Sequence, residues 1–293
     1  MSMLSPSSIW FITGATSGFG KRFTLTALSR GDRVIATGRS LDKLQSIVSS
    51  LKPEDAERVR IQQLDVTAGE EQVKSVVNQA AKHWGGIDVL INNAGVGYHG
   101  LMEEGGSKLL RRQFEANVFG VVDVSIAALP YLRQSSNGRL VVIGSRSAWK
   151  AERLGLGPYS ASKAAVGAFT ENLMTEVAPF NIKVLLVLPG AFRTEGIYGQ
   201  RFFQDNSMPI HDEARTTVMR RIAAVSGNEP GDPDKGAEVL VDIVQGRGVA
   251  KDRPWPSYLC LGEDAETDVR YKCETVLKSL GQWSDISRSV KFY

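Results

Sequence analysis

The stretch that most restricts this chain is an apolar run, residues 9–13 (IWFIT), which leads straight into Gly14-Ala15-Thr16-Ser17-Gly18-Phe19-Gly20. The run is bounded by Ser and Pro before it and Gly after it, so it reads as a buried strand. A helical pattern follows through Leu28. Strand, glycine turn and helix in that order give the glycines a meaning they lack in isolation. They let the backbone turn tightly and approach a pyrophosphate, and the helix start offers free N–H groups and a positive dipole end. A plain strand–helix turn needs one glycine, not three. The spacing, three residues and then one, differs from the one-then-two of the commonest dinucleotide fingerprint.

The pattern repeats down the chain. Residues 33–37, 59–64, 87–91, 139–143, 182–188 and 255–261 are further short apolar runs. Helical stretches at 41–51, 70–83, 107–132, 159–178 and 235–245 separate most of them. Strands alternating with helices, without hairpin signals, predict an α/β fold with a parallel, doubly wound sheet. Residues 190–231 interrupt the alternation with a long segment holding Phe192, Ile197, Tyr198, Phe202, Phe203 and Met208. It reads as a mobile insertion with short helices, of the kind that forms lids. Residues 263–293 read as a polar, partly helical tail.

Composition excludes more than it assigns. A net charge of +3 on 293 residues is too small to argue for nucleic acid or a membrane surface. Arg111-Arg112 and Arg220-Arg221 read as solvated helix faces. Cys260 and Cys273 form no CxxC and cannot staple a chain of this size, which points to a reducing compartment. His83, His99 and His211 lack metal-ligand spacing, so no metal is expected. The first eight residues lack a signal-peptide layout. No apolar run reaches the roughly 18 residues needed to span a bilayer. The expectation is a soluble, cytoplasmic protein.

The strand ends carry the chemistry. Gly38 and Arg39 stand where an acid would read a free ribose 2′-OH. A small residue followed by a guanidinium leaves room for a 2′-phosphate and supplies a bidentate partner, which favours NADP; the alternative is a solvated charge. Asp65, followed by Val66, suits an adenine amino group or a simple turn. Asn92-Asn93-Ala94-Gly95 suits a backbone passing close to a ligand or bracing two loops. Asn117, in an apolar neighbourhood, must find partners. Gly144-Ser145 ends the fifth strand, with Ser147 a competitor for the same role. Tyr159 and Lys163, four apart, share one face if helical. A lysine ammonium beside a phenol favours the phenolate and makes it a usable acid near neutral pH.

Thr13-Gly14-(x3)-Gly18-x-Gly20, Asn92-Asn93-Ala94-Gly95, Asn117, Ser145, Tyr159-(x3)-Lys163 and Pro189-Gly190-(x3)-Thr194 together resemble the short-chain dehydrogenase/reductase family. The resemblance also accounts for the glycine spacing. It implies a single Rossmann-like domain whose seven-stranded parallel sheet carries helices on both faces. The core would cover about residues 8–265, with a substrate-loop or lid region at 191–231 and an extension at 266–293. It implies a catalytic set of Asn117, Ser145, Tyr159 and Lys163. Tyr159 would protonate the carbonyl oxygen as hydride reaches the carbon, Ser145 would hold that oxygen, Lys163 would bond the nicotinamide ribose, and Asn117 would keep a relay water. Gly14, Thr16, Ser17, Gly18, Phe19, Gly20, Arg39, Asp65, Val66, Asn93, Ala94, Gly95, Pro189, Gly190, Phe192 and Thr194 would join Tyr159 and Lys163 in binding the dinucleotide.

Gly144 replaces a serine common in the family, which leaves Ser145 as the better candidate. Beside Ser145, the substrate would meet Tyr98, Trp149 and Ile197, with Val96, Leu154, Tyr198 and Phe202 nearby. That apolar lining leads us to expect an NADP-dependent carbonyl reductase for a lipophilic ketone or aldehyde. Arg146, Arg153 and Arg193 could instead bind an anionic group. An NAD(P)-dependent alcohol dehydrogenase working oxidatively and a non-catalytic redox sensor are the competing expectations. No nucleic-acid or membrane partner is expected. Helices at 107–132 and 159–178 are where relatives pair into homodimers or homotetramers.

Overall fold

The computed structural model describes residues 7–195 and 202–292. Its seven strands are β1 (Ile9–Ile12), β2 (Arg33–Gly38), β3 (Val59–Gln63), β4 (Val89–Asn92), β5 (Arg139–Ile143), β6 (Lys183–Pro189) and β7 (Tyr258–Leu261). They form one sheet in the order β3-β2-β1-β4-β5-β6-β7, and every pair is parallel. The winding reverses between β1 and β4, where Trp10 pairs with Val34 on one side and Val89 on the other. A crevice for a ligand opens at the carboxyl ends of the strands at such a reversal.

Helices cover both faces. In order they are α1 (Gly18–Ser29), α2 (Leu41–Ser49), a short α3 (Pro53–Ala56), α4 (Glu70–Ala81), α5 (Met102–Phe114), α6 (Gly120–Gln134) and α7 (Gly157–Val177). They continue with α8 (Asp212–Val225), α9 (Pro233–Gln245), α10 (Glu263–Gln282) and a short α11 (Ser284–Arg288). Successive strand side chains point to opposite faces. Phe11, Ile35 and Leu90 therefore pack against Val73, Val77 and Ala80 of α4 and Val124 and Leu132 of α6. Trp10, Ile12 and Val34 pack the other way, against Phe23 and Ala27 of α1 and Leu240 of α9. Covering both faces explains why the strand sequences are nearly continuous apolar runs and not alternating ones.

The structure differs from the sequence reading in three places. The predicted helix at 107–132 is present but irregular: Glu115–Phe119 form a π turn between α5 and α6, and Gly106, just before the predicted start, kinks α5 with φ of +49°. By composition alone Met102–Gln134 would pass as a membrane span, but half of its most apolar window is buried in the protein. Residues 190–231 hold a 14-residue helix, α8, and the isolated bridge Phe192–Gly231. The tail is dominated by α10, a 20-residue helix.

Candidate active site

The glycine turn is pinned to the end of β4 by neutral hydrogen bonds. The Thr13 hydroxyl accepts from the backbone N–H of Asn93 (3.0 Å) and Ala94 (2.9 Å), and Asn93 Nδ2 donates to the carbonyls of Thr13 (2.9 Å) and Gly14 (3.2 Å). The two loops press so closely that a Cβ on Gly14, where φ is +67°, would lie 2.9 Å from Ala94 Cα. Gly20 faces inward, where a side chain would strike the Gly14 carbonyl; it permits helix-to-turn packing and does not line the cleft. Asn92 turns away and donates to Ser125 Oγ (2.8 Å).

At the start of α1 the Gly18 N–H donates to Glu195 Oε2 (2.9 Å). Arg22 holds the same carboxylate through two nitrogens, at 2.9 and 3.0 Å, and also pairs with Asp234. The Arg22 hydrogen bonds, followed by the backbone donors, bring the Glu195 carboxyl down to about 2. The helix start thus holds an anion in the structure itself, the chemistry a pyrophosphate requires.

β5 delivers the next group. Ser145, 5% exposed, lies one residue past the strand, after Gly144, and its hydroxyl accepts from the Ser147 N–H (3.1 Å). Tyr159 and Lys163 lie on α7 with one turn between them, and the Lys163 nitrogen sits 5.9 Å from the Tyr159 ring centre. Lys163 Nζ donates to the Ile143 carbonyl (2.7 Å), and burial brings its pKa down to about 8. Asn117 is fully buried in the π turn, a departure from regular helix common at functional sites. Its Oδ1 accepts from the Val96 N–H (2.9 Å), while Nδ2 donates to the Val96 carbonyl (2.9 Å) and Ser162 Oγ (3.1 Å). In this geometry its amide braces the Gly95–Val96 backbone against α7.

These elements border one cleft of about 470 Å³. Gly14, Thr16, Ser17, Gly18, Phe19, Gly38, Arg39, Asp65, Val66, Asn93, Ala94 and Gly95 line one part of it. Ser145, Ser147, Tyr159, Lys163, Pro189, Gly190, Phe192 and Thr194 line the rest. A Cβ on Gly38 would come within 2.7 Å of Thr16 Cγ2, so the tip of β2 must stay small. Asp65 does serve a turn, accepting from the Thr67 N–H (3.0 Å) and hydroxyl (2.8 Å). The left-handed Gly14 and Gly18, the anion-holding amide and the lining of Arg39 and Asp65 fit a dinucleotide along this cleft.

The substrate residues are placed differently. Tyr98 lies outside the lining, with its ring under the Arg112 guanidinium (4.3 Å) and its N–H on Gln113 Oε1 (2.8 Å). After the short 3-10 turn that follows Ser145, Trp149 packs half-buried against the edge of the core cluster. Leu154 is 46% exposed, away from the cleft. Ile197 and Tyr198 fall outside the described residues. Val96, Gly97, His99, Leu156, Arg146 and Arg153 border the Tyr159 end instead. Burial, and secondarily Arg221, hold the His99 imidazole below its ordinary pKa.

Sequence reasoning missed Glu195 and the acids of α10. Asp264 Oδ2 accepts from the Ala191 N–H (2.9 Å) and pairs with Arg146 (2.9 Å). Asp268 gathers Arg146 (2.8 Å), Lys150 (3.1 Å) and Arg153 (3.1 Å). Between 73 and 122 residues separate the hydrogen-bonded partners in sequence, so no local pattern marks them. The one available signal for Glu195 was its position directly after Thr194.

Comparison with known proteins agrees with this geometry. Oxidoreductase BOA17 of Botryotinia fuckeliana is 33% identical over 281 residues, covering 96% of this chain and 98% of its own. A crystal structure of a short-chain dehydrogenase from Streptomyces avermitilis superposes with a TM-score of 0.83 at 33% identity, covering 98% of this chain and all of that one. The 3-ketodihydrosphingosine reductase of Bacteroides thetaiotaomicron is 40% identical over 190 residues, 64% of each chain. The short chain dehydrogenase family model matches residues 8–201, and with the sheet order and the cleft described above this makes the chain a member of that family of oxidoreductases.

Proposed function

We propose that this protein is an NADP-dependent reductase of lipophilic ketones or aldehydes. The observation that carries the reading is the shared cleft: Ser145, Tyr159 and Lys163 border one end and Arg39 borders another part, with no acid at the tip of β2. When bound, the dinucleotide supplies the hydride. Tyr159 gives its hydroxyl proton to the substrate oxygen. Ser145 donates a hydrogen bond to that oxygen, and fixed donors aimed at developing negative charge are what stabilise it. Lys163 is held by the Ile143 carbonyl and in its charged form favours the phenolate that Tyr159 leaves behind. Asn117 keeps the Val96 backbone and α7 in register for both.

Arg39 supports NADP over NAD because its guanidinium can pair bidentately with a 2′-phosphate. Val96 and Leu156 at the Tyr159 end of the lining support an apolar substrate, and the relative from Bacteroides thetaiotaomicron is named a 3-ketodihydrosphingosine reductase. Alcohol oxidation would use the same groups in reverse.

The test is NADPH oxidation across a panel of ketones and aldehydes, with two variants. Tyr159→Phe should lose about 10²- to 10⁴-fold in turnover while NADPH affinity stays within a few-fold; undiminished turnover defeats the proton-donor role. Arg39→Asp should weaken NADPH by at least about ten- to hundredfold, the value of one charge-assisted contact. Unchanged NADPH titration in that variant removes the 2′-phosphate reading.

A further inference from the structure

We propose that Asp264, in the first turn of α10, is a positioning residue for hydride transfer: it ties the turn that ends β6 to the turn that carries Ser145. The inference rests on the reading of the cleft given above. In that reading the substrate oxygen lies between Ser145 and Tyr159, so the hydride has to arrive at the same end, which Pro189, Gly190 and Ala191 border. The two turns therefore serve the two reactants, and a reaction of this kind is sensitive to small changes in their separation.

The sheet does not fix that separation by itself. β5 and β6 pair as far as Ile143 and Val187, and the Gly144 N–H adds one more bond to the Val187 carbonyl (2.8 Å). The next rung would need a donor at position 189, and Pro189 has none. Gly190 turns to the other side and donates to the Leu261 carbonyl of β7 (2.8 Å). Past that point, among the described residues, no main-chain bond joins residues 145–148 to residues 189–192.

Asp264 makes the connection instead. Its Oδ2 accepts from the Ala191 N–H (2.9 Å) and pairs with Arg146 (2.9 Å), the residue after Ser145, and its own carbonyl accepts from the Arg146 guanidinium (3.3 Å). Its Oδ1 fills the space beside Gly190, where a Cβ would lie 1.8 Å from that oxygen, so the carboxylate and a side chain at 190 exclude each other. β7 brings Asp264 to this place: Leu261 pairs with Pro189, and Gly262, at φ +104°, turns the chain into α10. Arg146, Gly190 and Ala191 border the cleft, whereas Asp264 stands behind them and acts through the groups it holds. Asp268, one turn on, fastens the helix through Arg146, Lys150 and Arg153; Asp264 adds a bond to the Ala191 main chain that fastening does not require.

The test is calorimetric titration of the full chain with two matched pairs, NADPH with 2′-phospho-ADP-ribose and NADH with ADP-ribose. The second member of each pair lacks only the nicotinamide. Turnover of whichever ketone of the panel above the wild type reduces fastest is measured alongside, with NADPH and with NADPH deuterated at the transferred position. Asp264→Ala should weaken the intact cofactor about fivefold, the value of one hydrogen bond, while the matching fragment stays within about twofold. Turnover should fall about 10²-fold, the cost of a misplacement of about 1 Å, and the isotope effect should rise as hydride transfer becomes rate-limiting. Asp264→Asn keeps an acceptor for the Ala191 N–H and should recover cofactor affinity to within about twofold. Arg146→Met breaks the tie from its other end; it should lower turnover and raise the isotope effect in the same way, and it decides the matter if Asp264→Ala does not fold. Three results overturn the proposal: intact cofactor and fragment weakened equally in Asp264→Ala, turnover and isotope effect unchanged in Asp264→Ala and Arg146→Met, or Asp264→Asn as impaired as Asp264→Ala. Turnover lost in Tyr159→Phe but kept in Asp264→Ala sinks this inference alone; turnover kept in Tyr159→Phe sinks the reading beneath it.

Discussion

Thr13, Asn93, Asn117 and Ser162 hold the floor of the cleft through uncharged hydrogen bonds, buried or part-buried and most of them to main chain. The wall built by the chain after Pro189 is held by ion pairs: Glu195 with Arg22, Asp264 with Arg146, and Asp268 with Arg146, Lys150 and Arg153. Uncharged bonds present no net charge for salt to screen, whereas partly exposed ion pairs are screened. The contrast suits the division of labour. On the reading proposed above, the floor positions the proton donor and the wall borders the bound ligand.

Three measurements sharpen or break that contrast. The largest effect is expected from Asn117→Ala, which strips the Val96 N–H of its partner inside the protein, leaves the Val96 carbonyl with Gln113 Nε2 alone (2.6 Å) and removes the donor to Ser162 Oγ. The orphaned N–H costs about 1–3 kcal/mol and each of the other two lost bonds about 1 kcal/mol, so a loss of about 4 kcal/mol in denaturant unfolding, unchanged by salt, is expected. A loss that salt erodes would mean the floor is not held as described.

Next in size is the titration of Lys163. Its pKa in the folded protein is about 8, below the ordinary 10.5. Between those values the unfolded chain keeps a proton that the folded state has released. Stability therefore rises with pH across that window, and below about 8 the full cost of burying the charge is present. Relative to Lys163→Met, the wild type should gain on the order of 3 kcal/mol across the window. A pH-independent difference between the two proteins would contradict the buried ammonium.

The smallest effect is expected from Asp268→Asn, which leaves Arg146, Lys150 and Arg153 crowded together. A loss of about 2 kcal/mol at low salt, shrinking as salt is raised, is expected for pairs that are only partly buried. Equal losses at low and high salt would erase the distinction between wall and floor.

Much of the floor was legible beforehand because its parts are short and local. A glycine turn, an Asn-Asn-Ala-Gly turn and a Tyr–Lys pair each occupy a few consecutive residues, and each follows a strand or opens a helix. The substrate end was not. Tyr98 and Trp149 are near the site in sequence, but a side chain's direction depends on the turn that carries it. After the 3-10 turn at Arg146–Ala148, Trp149 is half-buried against the edge of the core, and Gln113 and Arg112 claim Tyr98. His99 and Leu156 border the cleft without any pattern to announce them. The π turn at Glu115–Phe119 was likewise invisible, because its sequence reads as ordinary helix.

The sequence by itself determined the order of strands and helices, the parallel sheet and the short motifs that border the cleft. Periodicity and turn chemistry are local properties, written within a few residues of where they act. Only the tertiary structure decided what closes the cleft and which side of the last long helix faces water. Those depend on pairs such as Gly18–Glu195 and Arg146–Asp268, 177 and 122 positions apart. A charge finds its partner through the folded topology, and no spacing along the chain records that meeting.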